Sequence, residues 1–355
     1  MIDIKIELTK NPKQKPDESN LGFGKIFTDH MFVMDYSKEK GWYDAKIVPF
    51  ENLSLHPAAT VFHYGAEIFE GLKAYRTKNN EVQLFRPMEN MRRLNRSAER
   101  LCLPTIPEED ALHILKTFVS IEKDWTPHSE GTSLYLRPFL FGCDPFLGVH
   151  SVNTAKYVII ASPVGSYYKE GINPVTIMIE TEDVRAVRGG TGEAKCGGNY
   201  AASTRAGERA EKKGYSQVLW LDGVERKYIE EVGAMNVMFK VNGEIVTPKL
   251  TGSILPGITR KSCIEVLRDK GYTVNERLFS IDELMEAIEK GTLEEAWGCG
   301  TAAVVSPIGH FDINGKIYEI NGGKIGEVTQ DLYDTLTGIQ WGKIEDKYNW
   351  ICKID

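Results

Sequence analysis

The sequence predicts a mixed α/β protein of two domains, and three observations lead to this class. The chain has 355 residues, about twice the length of a typical domain. Short apolar runs typical of strands alternate with segments of helical periodicity along both halves of the chain. The segment GSYYKEGINP (165–174), rich in Gly, Pro and Tyr, interrupts that pattern near the middle. We therefore predict an N-terminal domain over 1–165, a linker over 166–174 and a C-terminal domain over 175–355.

In the N-terminal half, two helices and one strand have the clearest signals. Residues 1–20 are predicted to be a polar lead-in. One helix is predicted near 88–100, after Pro87, and a second over about 108–123. The second helix carries an apolar stripe at helical spacing, which consists of Ala111, Ile114, Leu115 and Phe118. KYVIIASPV (156–164) is a continuous apolar run that predicts a strand.

The C-terminal half continues the alternation of strands and helices. The predicted elements are strands at 175–180 and 217–222, helices at 199–213, 259–270 and 280–290, and a closing helix within 322–342. The helix at 280–290 begins with Ser280 and Glu283, the spacing of a capping box. The dipeptides Asp222-Gly223 and Asn242-Gly243 are typical of tight hairpins.

Composition and charge exclude several classes of function. The formal net charge is −7, which gives no general attraction to nucleic acid or to an anionic membrane. No apolar run is long enough to span a bilayer, and the N-terminus lacks the apolar core of a signal peptide. The six cysteines form no CxxC pair, so we expect free thiols and a cytoplasmic location. His56 and His63 lie seven residues apart, and we interpret them as packing residues rather than metal ligands.

The segment RGGTGEAKCGGNYAA (188–202) is the strongest candidate for chemistry. Its single lysine, Lys195, is surrounded by small residues and glycines, which allow the backbone to approach a ligand closely. A lysine in such a crowded setting is easily desolvated, and desolvation lowers its pKa and frees the amine as a nucleophile. Schiff-base formation with a carbonyl compound is the chemistry that needs such an amine. The alternative is a surface lysine in a Gly-rich loop.

Two further segments supply what an amine-based cofactor enzyme needs, and a third resembles a nucleotide-binding motif. Glu230 and Glu231, in IEEVGAMN, provide a carboxylate that can face a cationic ring nitrogen. The alternative is that they form a solvated acidic pair. Gly257 precedes a predicted helix whose N-terminal amides would hold a phosphate. The alternative is an ordinary turn into a helix with no bound ligand. GCGTAA (298–303) fits a dinucleotide motif, but Pro307 follows it instead of a helix, so that interpretation fails. Together these groups are the requirements of pyridoxal phosphate.

Nine ordered blocks of the sequence resemble the branched-chain amino acid aminotransferases of the longer bacterial and eukaryotic type. They are FGKIFTDHM, HYGAEIFEGLKAYR, LFRPMENMRRLNRSAERLCLP, TSLYLRP, KCGGNY, QVLWLD, EEVGAMN, LPGITR and GCGTAA, from about residue 20 to the end. The resemblance implies a two-domain α/β enzyme of fold type IV. This is the fold of D-amino acid aminotransferase, and it implies a homodimer and pyridoxal 5′-phosphate as the cofactor.

The resemblance also implies a role for each matching residue. Lys195 would be the catalytic lysine that bonds covalently to the cofactor, Tyr200 would contact the ring hydroxyl, and Glu231 would face the pyridine nitrogen. The phosphate would be bound by Arg93, Ile258, Thr259 and Thr301. The substrate pocket would consist of Phe23, Tyr64, Phe69, Tyr135, Arg137 and Tyr167, of the Thr301 and Ala302 amides, and of Leu147 and Val149 from the second subunit. For each aromatic residue, core packing is the alternative.

The implied reaction is transamination between leucine, isoleucine or valine and 2-oxoglutarate, which yields glutamate and a branched-chain 2-oxo acid. A D-amino acid aminotransferase or a lyase on the same fold is one alternative, and a non-catalytic scaffold is another. Lys195, Tyr200 and Glu231 argue against the scaffold. Two positions depart from the resemblance. Ala234 stands where threonine is common, and residues 303–306 lack the CxxC pair that some animal members carry.

Overall fold

The computed structural model describes residues 2–166 and 172–354. Contacts divide the chain into two units. The first comprises Met1–Tyr167, Ala194–Gly197 and Ile339–Asp355, and the second comprises Tyr168–Glu193 and Gly198–Gly338. The sequence prediction assigned every residue after 174 to the second domain. The structure instead groups the segment around Lys195 and the C-terminal tail with the first unit.

A mixed, largely antiparallel sheet forms the frame of the first unit. Its strands are β1 (Lys5–Ile6), β2 (His30–Ser37), β3 (Gly41–Pro49), β4 (Glu67–Phe69), β5 (Leu72–Arg76), β6 (Val82–Phe85), β7 (Ser133–Gly142), β8 (Thr154–Val164) and β18 (Ile351–Ile354). They follow the order β1-β3-β2-β8-β7-β5-β6-β18, and β4 pairs with β7. The helices of this unit are α1 (Thr60–Tyr64), α2 (Pro87–Arg100) and α3 (Glu108–Ile121).

Helices α2 and α3 cover one face of this sheet and form the core with it. Both helices were predicted at these positions, and the predicted stripe of α3 is buried, with each of its four residues at most 1% exposed. Even-numbered residues of β7, such as Leu134 and Leu136, are buried in the same core. Odd-numbered residues at its centre, such as Tyr135 and Arg137, are only partly buried. The opposite face of the sheet is therefore open to a ligand.

The second unit is built on a separate sheet. Its strands are β9 (Val175–Ile179), β10 (Gln217–Leu221), β11 (Ile229–Val232), β12 (Met235–Val241), β13 (Glu244–Pro248), β14 (Val274–Arg277), β15 (Leu293–Gly300), β16 (Val304–Ile313) and β17 (Lys316–Glu319). Eight of them follow the order β11-β10-β9-β16-β15-β12-β13-β14, and β17 pairs with β16. Because β11 also pairs with β12, the central strands close on themselves. The remaining helices are α4 (Gly197–Lys212), α5 (Ile258–Asp269), α6 (Ile281–Glu289) and α7 (Glu327–Gln340).

Local signals in the C-terminal half gave two confirmed predictions and one error. Ser280 and Glu283 form the predicted capping box at the start of α6. Asn242 and Gly243 have φ values of 50° and 76° in the tight turn between β12 and β13. Asp222-Gly223 is not a two-residue hairpin, because β11 begins only at residue 229. The Asp222 carboxylate accepts four backbone N–H bonds from residues 224–228 instead, which stabilise a longer loop.

The two ends of the chain both contribute strands that the sequence prediction missed. β1 lies within the predicted polar lead-in and pairs with β3. The chain does not close with α7, because β18 follows it and pairs with β6. Arg86 contributes to this edge, with its guanidinium carbon 4.6 Å from the centre of the Trp350 ring. Each of these strands is too short to show an apolar alternation of its own.

The remaining global predictions concern thiols, metals and membranes. All six cysteines are free thiols, as predicted. His63 donates to the Pro57 carbonyl on the surface, and α1 begins only at Thr60, so His56 does not share a helix with it. Within the described ranges, no cluster of metal-ligating side chains occurs. The described helices include none that is both long and apolar enough to cross a bilayer.

Candidate active site

The open face of the first sheet carries a continuous row of the predicted substrate residues. The rings of Phe23 and Tyr135 lie 4.9 Å apart, centre to centre. Arg137 Nη2 donates to the Tyr135 hydroxyl at 2.9 Å. The Arg137 guanidinium carbon also lies 4.6 Å from the centre of the Phe69 ring, and Lys195 Nζ lies 4.5 Å from the same ring centre. Tyr135 and Arg137 are two residues apart on β7 and share this face, and the Lys195 amine lies against it.

The backbone of Lys195 is held on both sides. Its N–H donates to Ser97 Oγ of α2 at 2.9 Å, and its carbonyl accepts from the Phe69 N–H at 2.9 Å. The neighbouring side chains of Ala194 and Cys196 are at most 4% exposed. The amine is therefore positioned by a fixed backbone, whereas the side chain itself remains partly accessible. This arrangement disfavours the alternative of a lysine in a mobile surface loop.

Behind this face, Glu70 and Arg93 form a buried ion pair. Arg93 donates from Nε to one Glu70 oxygen at 2.8 Å and from Nη2 to the other at 2.9 Å. Asn90 adds a third bond at 2.8 Å. Burial is the largest single influence and opposes ionisation of Glu70, but the charge and hydrogen bonds of Arg93 together with Lys195 and Asn90 outweigh it and lower the pKa of this carboxyl. Glu70, which the sequence prediction missed, thereby fixes the orientation of the predicted phosphate ligand Arg93. The phosphate contact itself remains a prediction.

The loop over residues 144–150 presents apolar side chains to solvent. Leu147 and Val149 are 65% and 86% exposed. The loop is ordered at its base, where Asp144 accepts bonds from the backbone N–H groups of Asn153 and Thr154. The Gly148 N–H also donates to the Tyr64 hydroxyl at 2.7 Å. This contact brings Tyr64, Leu147 and Val149, all predicted substrate residues, into one surface cluster.

In the second unit, Glu231 is the centre of a buried polar network. Its Oε2 lies 3.0 Å from Arg185 Nε, and its Oε1 accepts from the Leu255 N–H at 2.8 Å. Arg185 also donates to the carbonyls of Gly192 and Ser253. A Cβ on Gly192 would collide with the Ser253 carbonyl, so glycine is required there. Arg185 was not predicted, since no local pattern marks it as the partner of a residue 46 positions later.

Glu230 and Glu231 are not a solvated pair, because both are at least 96% buried. They point to opposite sides of β11. Glu230 accepts from the Ser253 hydroxyl, and burial raises the pKa of its carboxyl despite that bond. Arg185 influences both carboxyls, but its Nε contacts Glu231 directly at 3.0 Å. The two neighbours are therefore chemically distinct.

The start of α5 has the form of an anion site. Gly257 precedes its first residue, and a Cβ at Gly257 would collide with the Asn236 side chain. The first turn carries no acidic side chain. The N–H groups of Ile258 and Thr259 lie in this turn, where helical N–H groups have no partner within the helix and attract anions. The structure is thus consistent with the predicted phosphate role of both residues.

Thr301 and Ala302 lie in the short turn between β15 and β16. Val304, which ends this turn, has a φ of 62°. A β-branched residue in the left-handed region is strained, and such strain is concentrated at functional sites. Ala234 occupies the two-residue turn between β11 and β12, next to Gly233 with a φ of 55°. The departure at Ala234 thus falls in a turn rather than in a strand.

Of the two remaining predicted residues, the structure describes Tyr200 but not Tyr167. Tyr200 lies in the first turn of α4, five residues after Lys195. Its neighbour Asn199 ties the start of that helix to the preceding loop by donating to the Thr191 carbonyl at 2.8 Å. Tyr167 lies outside the described residues, so its predicted role stays a prediction.

Each unit, taken by itself, carries groups that pyridoxal phosphate requires. The first unit supplies a positioned amine at Lys195 and an arginine, Arg137, whose buried Nε has no hydrogen-bond partner in the described part of the chain. The second unit supplies a buried carboxylate at Glu231 and the N-terminal amides of α5. An amine, a carboxylate and an anion site are the groups that this cofactor requires.

Comparison with known proteins identifies the same family of aminotransferases over nearly the whole chain. The family profile described as "Amino-transferase class IV" matches residues 67–311. Branched-chain-amino-acid aminotransferase 2 of Bacillus subtilis is 58% identical over 99% of this chain and 97% of its own length.

Solved structures agree with this match. The branched-chain amino acid aminotransferase of Escherichia coli superposes with a TM-score of 0.77 at 26% identity, over 92% of this chain and 99% of that one. The T.th. enzyme of the same name was solved with pyridoxamine 5′-phosphate. It superposes with a TM-score of 0.76 at 26% identity, over 91% of this chain and 98% of that one. Further structures of that enzyme contain N-(5′-phosphopyridoxyl)-L-glutamate or 4-methylvaleric acid. The fold-type-IV prediction is therefore confirmed, and this chain belongs to the branched-chain-amino-acid aminotransferases within aminotransferase class IV.

Proposed function

We propose that this protein transfers the amino group of leucine, isoleucine or valine to 2-oxoglutarate, with pyridoxal 5′-phosphate as its cofactor. The observation that carries the proposal is the row formed by Lys195, Phe69, Arg137 and Tyr135 on one open sheet face. It combines an amine for the chemistry, aromatic surface for an aliphatic side chain and one cation for a carboxylate. The relatives named above support the same substrates.

Each residue has a proposed task in this reaction. When bound, the cofactor supplies an electron sink that makes the Cα–H bond of an amino acid acidic. With the cofactor bound, Lys195 would accept and return the proton at Cα, and Glu231 would face the pyridine nitrogen and favour its protonated form. Arg93, Ile258, Thr259 and Thr301 bind the phosphate, and Tyr200 holds the ring hydroxyl. The amides of Thr301 and Ala302 orient the α-carboxylate.

Arg137 allows one pocket to accept two unlike substrates. An aromatic pocket alone would reject the distal carboxylate of glutamate, because an unpaired charge in an apolar site is costly. The guanidinium of Arg137 can pair with that carboxylate through two parallel bonds. Its position is fixed by the Tyr135 hydroxyl and the Phe69 ring. When leucine binds, the same stacking keeps the guanidinium against aromatic surface.

We expect Arg137→Met to damage the glutamate half-reaction more than the leucine half-reaction, by about 2–5 kcal/mol if the charge pair is well desolvated. Single-turnover rates with each amino acid measure this difference. Arg92→Met is the matched control, because Arg92 pairs with Glu108 on the surface of the same unit. An equal loss for both amino acids would mean that Arg137 only supports the fold.

We also propose that the protein is a homodimer in which Leu147 and Val149 complete the pocket of the second subunit. Their exposure, together with that of Phe146 at 49%, leaves an apolar surface that a second copy would cover. We expect Leu147→Asp to weaken dimerisation and to raise KM for leucine together. Sedimentation and steady-state kinetics on one sample test this, with Leu8→Asp as a control on another exposed leucine. A fully active monomer would contradict the proposal.

A coupled assay across L- and D-amino acids tests the proposed function against its alternatives. We expect glutamate formation from 2-oxoglutarate with L-leucine, L-isoleucine and L-valine. Activity confined to D-amino acids would favour the D-amino acid aminotransferase, and release of pyruvate or ammonia without an acceptor would favour a lyase. We place the enzyme in the cytoplasm because its six cysteines are free thiols.

A further inference from the structure

A second carboxylate, Glu67, lies on the same sheet face as Arg137. In the antiparallel pair of β4 and β7, Glu67 is opposite Phe141 and Phe69 is opposite Phe139. Residues opposite each other share a face, and alternate residues of a strand share it too. Glu67 and Phe69 therefore face the same side as Arg137.

The Glu67 carboxyl is fixed by the backbone of the lysine segment. The Gly197 N–H donates to Glu67 Oε1, although 130 positions separate the two residues. A Cβ on Gly197 would collide with that oxygen, so the contact requires glycine. Glu67 also lies close enough to Arg137 for the arginine charge to favour its ionised form. Arg137 and Glu67 thus lie on one face of the sheet, and the arginine charge acts on the glutamate before any substrate arrives.

We propose that Glu67 is the internal counter-ion of Arg137, and that it takes up a proton when the distal carboxylate of glutamate or 2-oxoglutarate binds to Arg137. The inference rests on the proposed function. With leucine bound, the ionised Glu67 neutralises the guanidinium, so no unpaired cation faces the aliphatic side chain. With a dicarboxylate bound, two carboxylates would compete for one guanidinium, and protonation of Glu67 relieves their repulsion.

The surroundings of Glu67 make this protonation accessible. Burial raises the pKa of Glu67, against the opposing effects of the Gly197 N–H and of Arg137. The charged group that acts on it is Arg137 on β7, and Lys195 lies two residues before Gly197 in the chain. Glu70 carries a further charge, but it is paired with Arg93. The incoming carboxylate engages Arg137 and adds a negative charge, so the pKa of Glu67 rises again on binding.

The competition between Glu67 and the bound carboxylate fixes how dicarboxylate affinity changes with pH. Below the pKa of Glu67 the group is neutral and does not compete, so dicarboxylates bind well. As the pH rises through that pKa, Glu67 ionises and dicarboxylate affinity falls. A monocarboxylate such as 4-methylvalerate does not bind to Arg137, so its affinity does not depend on the ionisation of Glu67.

Calorimetric binding to the holoenzyme tests the inference without turnover. Glutarate and 4-methylvalerate are titrated at about pH 8, each in two buffers of different ionisation enthalpy, which gives the protons taken up. We expect glutarate to take up more protons than 4-methylvalerate. Glu67→Gln keeps an acceptor for the Gly197 N–H, so the fold is retained. It should abolish that excess and tighten glutarate binding about 5-fold at this pH. Glu81→Gln, in a surface pair with Lys353, should change neither value.

An equal proton uptake for the two acids in the wild-type enzyme would overturn the inference, as would an excess that persists in Glu67→Gln. The wild-type measurement is decisive by itself, whatever the stability of the variant. An enzyme that transaminates leucine with 2-oxoglutarate but shows no excess uptake refutes the role of Glu67 and leaves the proposed function intact. A holoenzyme that binds neither acid contradicts both.

Discussion

Replacing Lys195 with alanine is expected to reduce transamination by more than about 10⁴-fold. In the proposed reaction, this one amine would perform two tasks, because it would hold the cofactor covalently and move the proton at Cα. A positioned acid–base group alone contributes about 10²–10⁴-fold, and loss of the covalent bond adds to that. The fold should survive, since the hydrogen bonds of residue 195 with Ser97 and Phe69 are made by its backbone N–H and carbonyl.

Two measurements check this expectation. Borohydride reduction followed by intact-mass analysis should add the cofactor mass to the wild-type chain and not to Lys195→Ala, and single-turnover kinetics should show the loss of rate. Lys212→Ala is the matched control, because Lys212 lies on the surface of α4 and pairs only locally with Glu208. Substantial turnover in Lys195→Ala would make the assignment wrong.

Glu231→Gln is expected to have the second largest effect, a decrease of about 10²–10³-fold in the rate of Cα proton removal. A neutral amide cannot hold a proton on the pyridine nitrogen as a carboxylate does, so the electron sink weakens. One Glu231 oxygen lies beside Arg185, and the other accepts from the Leu255 N–H. Single-turnover rates with leucine deuterated at Cα report on this step directly.

Glu230→Gln is a closely matched control for that experiment. It makes the same chemical change one residue away, at a side chain that is equally buried but faces the other side of β11. Burial raises the pKa of Glu230, and glutamine resembles the protonated acid, so little should change. If Glu230→Gln were slow and Glu231→Gln fast, the assignment within EEVGAMN would be off by one residue.

Local chemistry explains which parts of the fold could be predicted. The capping box of α6 and the Asn242-Gly243 turn depend on residues within a few positions of each other, and both were predicted. Asp222-Gly223 failed because the Asp222 side chain binds later backbone N–H groups and stabilises a longer loop. Strand β18 was missed because its stability comes from pairing with β6, a partner more than 250 positions away.

The candidate site shows the same difference between features set by neighbouring residues and features set by partners distant in the sequence. Tyr135 and Arg137 could be assigned to one face because alternation along a strand is local. Lys195 could be singled out because its glycines are adjacent in sequence. Glu67, Glu70 and Arg185 could not be assigned, since each one matters through a partner that only the folded chain brings near. The two glutamates do stand within HYGAEIFEGLKAYR, so acidic residues inside a recognised motif are a signal that could have been used.

Transfer of ¹⁵N from leucine to glutamate tests the central claim most directly. The purified holoenzyme is incubated with ¹⁵N-labelled L-leucine and unlabelled 2-oxoglutarate, and the products are quantified by mass spectrometry. The account predicts ¹⁵N-glutamate and the branched-chain 2-oxo acid in equal amounts, with no label released as ammonia. Label in ammonia, or the absence of labelled glutamate, would contradict it.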